Sequence, residues 1–152
     1  MKSVILFCLL MLTVPMLIHA EDLDFNLTKY EGKVVYLDFW ASWCKPCKDS
    51  FPWMIAQQNK YADQGLVVVT VNLDRDKKAA ETFLTKLKSD LIVVYDSDGK
   101  LAEKYKLEAM PTSFIYDRTG NLVGSHIGFN SKESKIIEQE LIDLLQEKNE
   151  DN

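Results

Sequence analysis

Two cysteines, Cys44 and Cys47, stand with two residues between them in the segment Trp43-Cys44-Lys45-Pro46-Cys47. Three kinds of chemistry use that spacing. The first is a disulfide that only staples the chain, but closing so short a loop restrains the unfolded chain weakly, by roughly 2 kcal/mol on the chain-entropy account. The second is zinc. A closed structural site takes four Cys or His ligands, and beyond residue 20 the chain offers Cys44, Cys47 and His126. Carboxylates or a second chain would have to complete such a site. The third is thiol–disulfide exchange, in which one thiolate attacks a partner disulfide and a second thiol resolves the mixed disulfide. The surroundings suit the third. The pair directly follows a strand-like run and opens a helical pattern. A helix N-terminus presents unpaired N–H groups and the positive end of the macrodipole, which favour a thiolate at Cys44. Lys45 and Lys48 add positive charge, and Pro46, with its locked φ and missing N–H, suits a first helical turn. Cys44 is then the attacking thiol and Cys47, one turn further on, the resolving one.

The elements that must position this pair can be read from periodicity. Val34-Val35-Tyr36-Leu37-Asp38-Phe39-Trp40 is rich in β-branched and aromatic residues and reads as a strand. Further strands are expected over 66–72, opened by Gly65, over 91–95, closed by Asp96-Ser97-Asp98-Gly99, and over 112–117 and 121–125. Arg118-Thr119-Gly120 reads as the hairpin turn between the last two. Helical patterns fill the gaps. Residues 47–61 carry Phe51, Met54, Ile55 and Tyr61, and 77–88 put Ala80, Phe83, Leu84 and Leu87 on one face. A last helix spaces Ile136, Ile137, Leu141, Leu144 and Leu145, with Asn130 and Glu133 placed to form a capping box. The order is strand, helix, strand, helix, strand, short helix, hairpin, helix. Such alternation implies an α/β layer fold with a partly parallel sheet. The apolar run Leu66–Val69 fits a central strand covered on both faces.

The segment Asp38-Phe39-Trp40-Ala41-Ser42-Trp43-Cys44-Lys45-Pro46-Cys47 closely resembles the thioredoxin active-site signature. Pro52, five residues after the second cysteine, matches that family's helix-kinking proline, and Met110-Pro111-Thr112 looks like its cis-proline loop. Residues 30–130 or so resemble the extracytoplasmic TlpA-like branch, which includes the reductases of cytochrome c maturation and carries an extra helix and strand that residues 77–95 would supply. The resemblance implies a thioredoxin fold, a central mixed sheet flanked by helices with that insertion, and no cofactor or metal beyond the dithiol. It implies thiol–disulfide exchange with protein thiols and disulfides as partners, usually as a reductase recharged by a membrane thiol-transfer electron donor, and a monomer. It also implies that Met110 and Pro111 lie beside the dithiol and receive the substrate chain. Trp40 would pack under the site, and Trp43 with Pro46 would form its contact surface. A disulfide-donating oxidase or isomerase, and a non-catalytic binding module or metal chaperone on the same fold, are the rival readings.

Asp38 places a charge inside an apolar strand, and alternation puts it on the same face as Tyr36 and Trp40. A solvent-facing position is the bland alternative. The position matches thioredoxin's buried acid, which the resemblance implies relays a proton for Cys47. Burial raises a carboxyl pKa and so suits it to proton transfer. TlpA-like proteins often have a neutral residue here. Where the cytochrome-maturation reductases carry an acid after the second strand, this chain has Arg75, between Asp74 and Asp76. Those two acids read as a turn and a helix start. His126 reads as a surface strand residue rather than a ligand, Trp53 has no assigned role, and Asn26-Leu27-Thr28 is a glycosylation sequon that matters only in a eukaryotic secretory host.

The chain's opening residues read as an address. Met1-Lys2-Ser3 is followed by the unbroken apolar run 4–12 and a mostly apolar stretch to Ile18, then Ala20 and the first acids, Glu21-Asp22. This is the pattern of a secretory signal peptide over 1–20, leaving one thioredoxin-like domain over 21–152 in the periplasm or outside the cell, where disulfides persist. An uncleaved membrane anchor is the alternative, although the run is short of the roughly 20 residues a bilayer needs. Leu6-Phe7-Cys8 lacks the small residues that precede a lipidated cysteine. The whole chain has 152 residues, 47% of them apolar, with 18 basic against 23 acidic side chains. That composition argues against disorder, collagen or coiled coil, and without a basic patch nucleic acid is not an expected partner.

Overall fold

In the computed structural model, which describes residues 25–147, strand β1 (Val34–Trp40) is buried along its whole length. It lies at the centre of a five-stranded sheet of order β3-β2-β1-β4-β5, with β2 at Leu66–Asn72, β3 at Ile92–Tyr95, β4 at Thr112–Tyr116 and β5 at Leu122–Ile127. Strand β1 runs parallel to β2 and antiparallel to β4. Strands β2 and β3 pair in parallel, and β4 and β5 form the expected hairpin. Helices α1 (Lys45–Tyr61), α2 (Lys77–Leu87), α3 (Lys100–Lys104) and α4 (Ser131–Gln146) complete the expected order. Helix α2 and β3 form the crossover that adds an edge strand beside β2, the insertion that the resemblance implies.

Because side chains alternate along a strand, β1 feeds two cores. Val34, Tyr36 and Trp40 pack with Phe51 and Met54 of α1 and Ile137 and Leu141 of α4. Val35, Leu37 and Phe39 pack with Val69, Val71 and Leu101 on the other side of the sheet.

The boundaries shift slightly from the periodic reading. Helix α1 starts at Lys45, two residues before the periodic pattern, with Pro46 in its first turn as expected. A single 3-10 turn, Leu27–Tyr30, precedes β1 with Asn26 as its cap. The hairpin turn is knitted by Asp117, whose Oδ1 accepts from the N–H groups of Thr119 and Asn121. Asn130 caps α4 as expected, accepting from the backbone of Lys132 and Glu133. The second half of the expected box is replaced, since the Glu133 carboxylate goes to His126. The leader expected over 1–20 lies outside the described residues. Among the described residues no helix is long and apolar enough to cross a membrane.

Candidate active site: a dithiol at the head of a helix

Strand β1 delivers the site. Its last residue, Trp40, accepts at its carbonyl from Leu73 N–H (2.9 Å), so the β1–β2 ladder runs on to the point where the chain turns. A tight turn follows, closed by the Cys44 N–H donating to the Ala41 carbonyl at 3.0 Å. Cys44 is then the N-cap of α1, with extended backbone, and its Sγ accepts from the Cys47 N–H at 3.3 Å. Sulfur takes the place that a serine or aspartate oxygen usually fills at a helix start. The same N–H groups stabilise a thiolate once the pair is reduced. Here Cys44 and Cys47 form a disulfide, with Cα atoms 5.3 Å apart. Cys44 is 5% exposed and Cys47 wholly buried. A partner can therefore reach the first sulfur and not the second.

The residues around the pair stand as the sequence suggested in several respects. Trp40 is fully buried, with Phe51 edge-on at 4.6 Å and Phe83 at 5.0 Å between ring centres. Trp43 is 68% exposed, a large apolar side chain left to solvent at the mouth of the site. Pro46 lies in the first turn of α1 and Pro52 inside the helix. The Met110–Pro111 peptide is cis. Thr112 pairs with Phe39, so Pro111 comes level with Trp40, at the end of β1 that leads to Cys44. Met110 packs against the same core that contains both cysteines. A cleft of about 440 Å³ opens beside the turn, lined by Ser42, Lys48, Phe83 and Leu87 among others.

Asp38 is buried at 1% exposure, not solvent-facing. It sits between Tyr36 and Trp40, on the face that α1 covers. Its Oδ2 finds no hydrogen-bond partner among the described residues. Burial pushes its carboxyl well above the usual carboxylate range, since removing the charge from water disfavours the ionised form. Burial also pushes the Tyr36 hydroxyl up, and the neighbouring Asp38 adds to this, against a lowering hydrogen bond from Ser113. A carboxyl that holds its proton more tightly than usual thus lies beneath α1, the helix that carries Cys47.

Three residues do more than the sequence reading gave them. Asp74 is not a plain turn residue. It is buried, and its two oxygens accept from the Ser42 N–H and the Ser42 hydroxyl, both at 2.9 Å. Asp76 does start a helix, accepting from Lys78 N–H as the cap of α2. His126, read as a surface residue, is instead gripped on both ring nitrogens by Glu133 (2.9 Å) and Glu140 (2.8 Å) of α4, with 9% of its side chain exposed. The third residue a zinc site would have needed is thus engaged elsewhere. Arg118, read as a hairpin residue, donates to the carbonyls of Gly32, Gln64 and Leu145 and ties three chain segments together at the far end of the molecule. A Cβ on Gly65 would meet Arg118 Nη1 at 2.7 Å and push the guanidinium aside, and the φ of +101° itself favours glycine. The only sequence signal for Asp74 was its place just past a strand's C-terminal end, where α/β folds gather their functional groups.

A helix-capping dithiol at the C-terminal end of the central strand of a mixed sheet, with a cis-proline loop at the same end, defines a thioredoxin-fold protein with a CxxC centre. The chain belongs to the Redoxin family, which it matches over residues 14–141. It is 35% identical over 98 residues to the thiol-disulfide oxidoreductase ResA of Bacillus subtilis, covering 64% of this chain and 55% of that one. It is 32% identical over 113 residues to the Bacillus cereus protein of the same name, covering 74% of this chain and 65% of that one. The chain therefore spans somewhat over half to just under two thirds of the length of these curated relatives. Among solved structures, a candidate thiol:disulfide interchange protein DsbE of Chlorobium tepidum superposes with a TM-score of 0.76. It is 43% identical and covers 78% of this chain and 84% of its own.

Proposed function

We propose that this protein is a thiol–disulfide oxidoreductase that works through the Cys44/Cys47 dithiol, in the reducing direction, on disulfides of exported proteins. The observation that carries the reading is the capping geometry: Cys44 Sγ sits at the head of α1, accepting the Cys47 N–H, while Cys47 is sealed beneath it. The Cys44 thiolate attacks one sulfur of the partner disulfide and forms a mixed disulfide, releasing the partner's other thiolate. Cys47, deprotonated as it attacks, then displaces the partner's remaining thiolate and closes the Cys44–Cys47 disulfide. Two electrons pass to the partner. Asp38, in its carboxylate form and made more basic by burial, takes the Cys47 proton, and Trp43, Pro46, Met110 and Pro111 receive the partner chain. A membrane thiol-transfer protein returns the dithiol to its reduced state. The likeness to the named oxidoreductases supports the reaction class. The leader-like opening of the sequence supports a place in the periplasm or outside the cell, and the TlpA-like resemblance supports cytochrome c maturation as one setting.

Two measurements test this. Cys44→Ser is expected to abolish the reduction of insulin with dithiothreitol that the wild type catalyses; equal activity in both would make the protein a binding module. The reduction potential of the pair, equilibrated against thiol buffers, is expected near or below about −250 mV. A value above about −180 mV, toward the strong oxidants, would make it a disulfide donor instead.

A further inference from the structure

Between the end of β2 and the turn that carries Cys44 lies a polar clamp. Asp74 Oδ2 accepts from the Ser42 N–H at 2.9 Å and from Asn72 Nδ2 at 2.7 Å, and Oδ1 accepts from the Ser42 hydroxyl at 2.9 Å. Asn72, wholly buried, is fixed in return by accepting the Asp74 N–H at 3.2 Å. Asp74 itself is 4% exposed. A carboxylate buried to that degree costs free energy unless its oxygens are hydrogen-bonded, and here three donors converge on it. Bonds of this charge-assisted kind are about twice as strong as neutral ones. A serine or asparagine at position 74 could not engage all three donors as acceptor.

The clamp grips the chain two residues before the attacking cysteine. Fixing the Ser42 N–H fixes the peptide that also carries the Ala41 carbonyl, which accepts the Cys44 N–H at 3.0 Å. The turn is thereby held from both sides, and Cys44 Sγ is left in place to accept from Cys47 N–H. We propose that Asp74 is a positioning residue for the dithiol: through Ser42 it holds the turn so that Cys44 stays at the helix head as a thiolate. This rests on the dithiol reading above. Asp74 exchanges no proton and no electron. Its own negative charge, if that were its only influence, would oppose a thiolate nearby. The two influences therefore have opposite signs, and a measurement can separate them.

The test is peptide-resolved alkylation of Cys44 by iodoacetamide in the reduced full-length protein, followed against pH, with melting temperature alongside. Asp74→Ala is expected to raise the Cys44 pKa, so that alkylation at pH 7 slows about tenfold. Ser42→Ala, which removes one of the clamp's bonds, is expected to slow it about threefold. Asp74→Asn, which keeps the shape and whose amide oxygen in the Oδ2 place can accept from the Ser42 N–H and Asn72 Nδ2 while its N–H₂ donates to the Ser42 hydroxyl, is expected to stay within about threefold of the wild type. Faster alkylation in Asp74→Ala, the sign of relief from a nearby charge, would overturn the proposal. So would unchanged rates with only a lowered melting temperature. Should Asp74→Ala fail to fold, Ser42→Ala decides by the same criteria, and in Asp74→Asn alkylation more than about threefold faster than the wild type would overturn the proposal as the sign of charge relief. The Cys44 titration can be followed whether or not the protein reduces insulin, so failure of this proposal and failure of the oxidoreductase reading are distinguishable.

Discussion

The two faces of β1 differ in a single respect. One face reads Val35, Leu37, Phe39 and is apolar throughout. The other reads Val34, Tyr36, Asp38, Trp40 and carries one acid among its apolar side chains. Both faces are equally buried. The acid also does not stand alone in its layer. Strand register places Thr70 and Ser113 on either side of Asp38, and His126 beyond Ser113. A polar row crosses four strands on the face that α1 and α4 cover. The opposite face builds stability, whereas this one accepts the cost of burying polar groups.

The apolar face carries the largest expected effect. Phe39 is fully buried and touches the rings of Tyr105 and Phe114 at 5.1 and 5.9 Å. Phe39→Ala is expected to lower unfolding stability by about 3–5 kcal/mol, measured by denaturant titration, while the reduction potential of the pair stays at the wild-type value. A shifted potential would mean that the two faces are not separable.

The second test falls on Asp38 and is smaller in stability but larger in chemistry. Its folded-state carboxyl lies well above the ordinary value of 3.8, so the folded protein holds a proton that the unfolded chain has released. Wild-type stability therefore falls as pH rises from about 4 through the folded-state value, with a limiting slope of about 1.4 kcal/mol per pH unit. Asp38→Asn removes that slope, so its stability relative to the wild type is expected to climb with pH across the same window. At neutral pH it is also expected to slow release of the mixed disulfide in stopped-flow exchange. Parallel stability curves would show that Asp38 is ionised when folded, and an unchanged release rate would remove it from the reaction.

The smallest effect concerns the outer end of the polar row. Burial alone would lower the His126 imidazole, but hydrogen bonds and charge from Glu140 and Glu133 outweigh it and hold the pKa above 6.5. The stabilisation from this clamp is present below pH 6.5 and is lost as pH rises through the raised folded-state value. His126→Gln is expected to cost under about 1 kcal/mol at pH 6 and less at pH 9. A cost that does not vary with pH would mean that the pair acts by hydrogen bonding alone.

Much of the site was legible in the chain because the rules that shape it are local. A strand's alternation needs only its own residues, and it put Asp38 on the buried Tyr36–Trp40 face without any structure. The head of α1 was readable for the same reason, since Pro46 can occupy a first turn and Cys44 falls at the cap. Where local rules meet a competing partner they fail. Glu133 has the spacing for a capping box, yet its carboxylate goes to His126 seven residues earlier, because a β5 imidazole lies within reach only after α4 has docked. His126 looked solvent-facing on an edge strand for want of that same helix.

By itself the sequence determined which atoms could react, which helix would hold them and which face of β1 would lie beneath, all through interactions spanning a few residues. The tertiary structure alone decided what holds those atoms still. Ser42 and Asp74 are 32 residues apart and meet only because β1 and β2 pair in parallel. Arg118 finds its three carbonyls only where the ends of separate elements converge. Register and packing are collective properties of the chain, and a side chain's remote partners are set by them rather than by its neighbours in sequence.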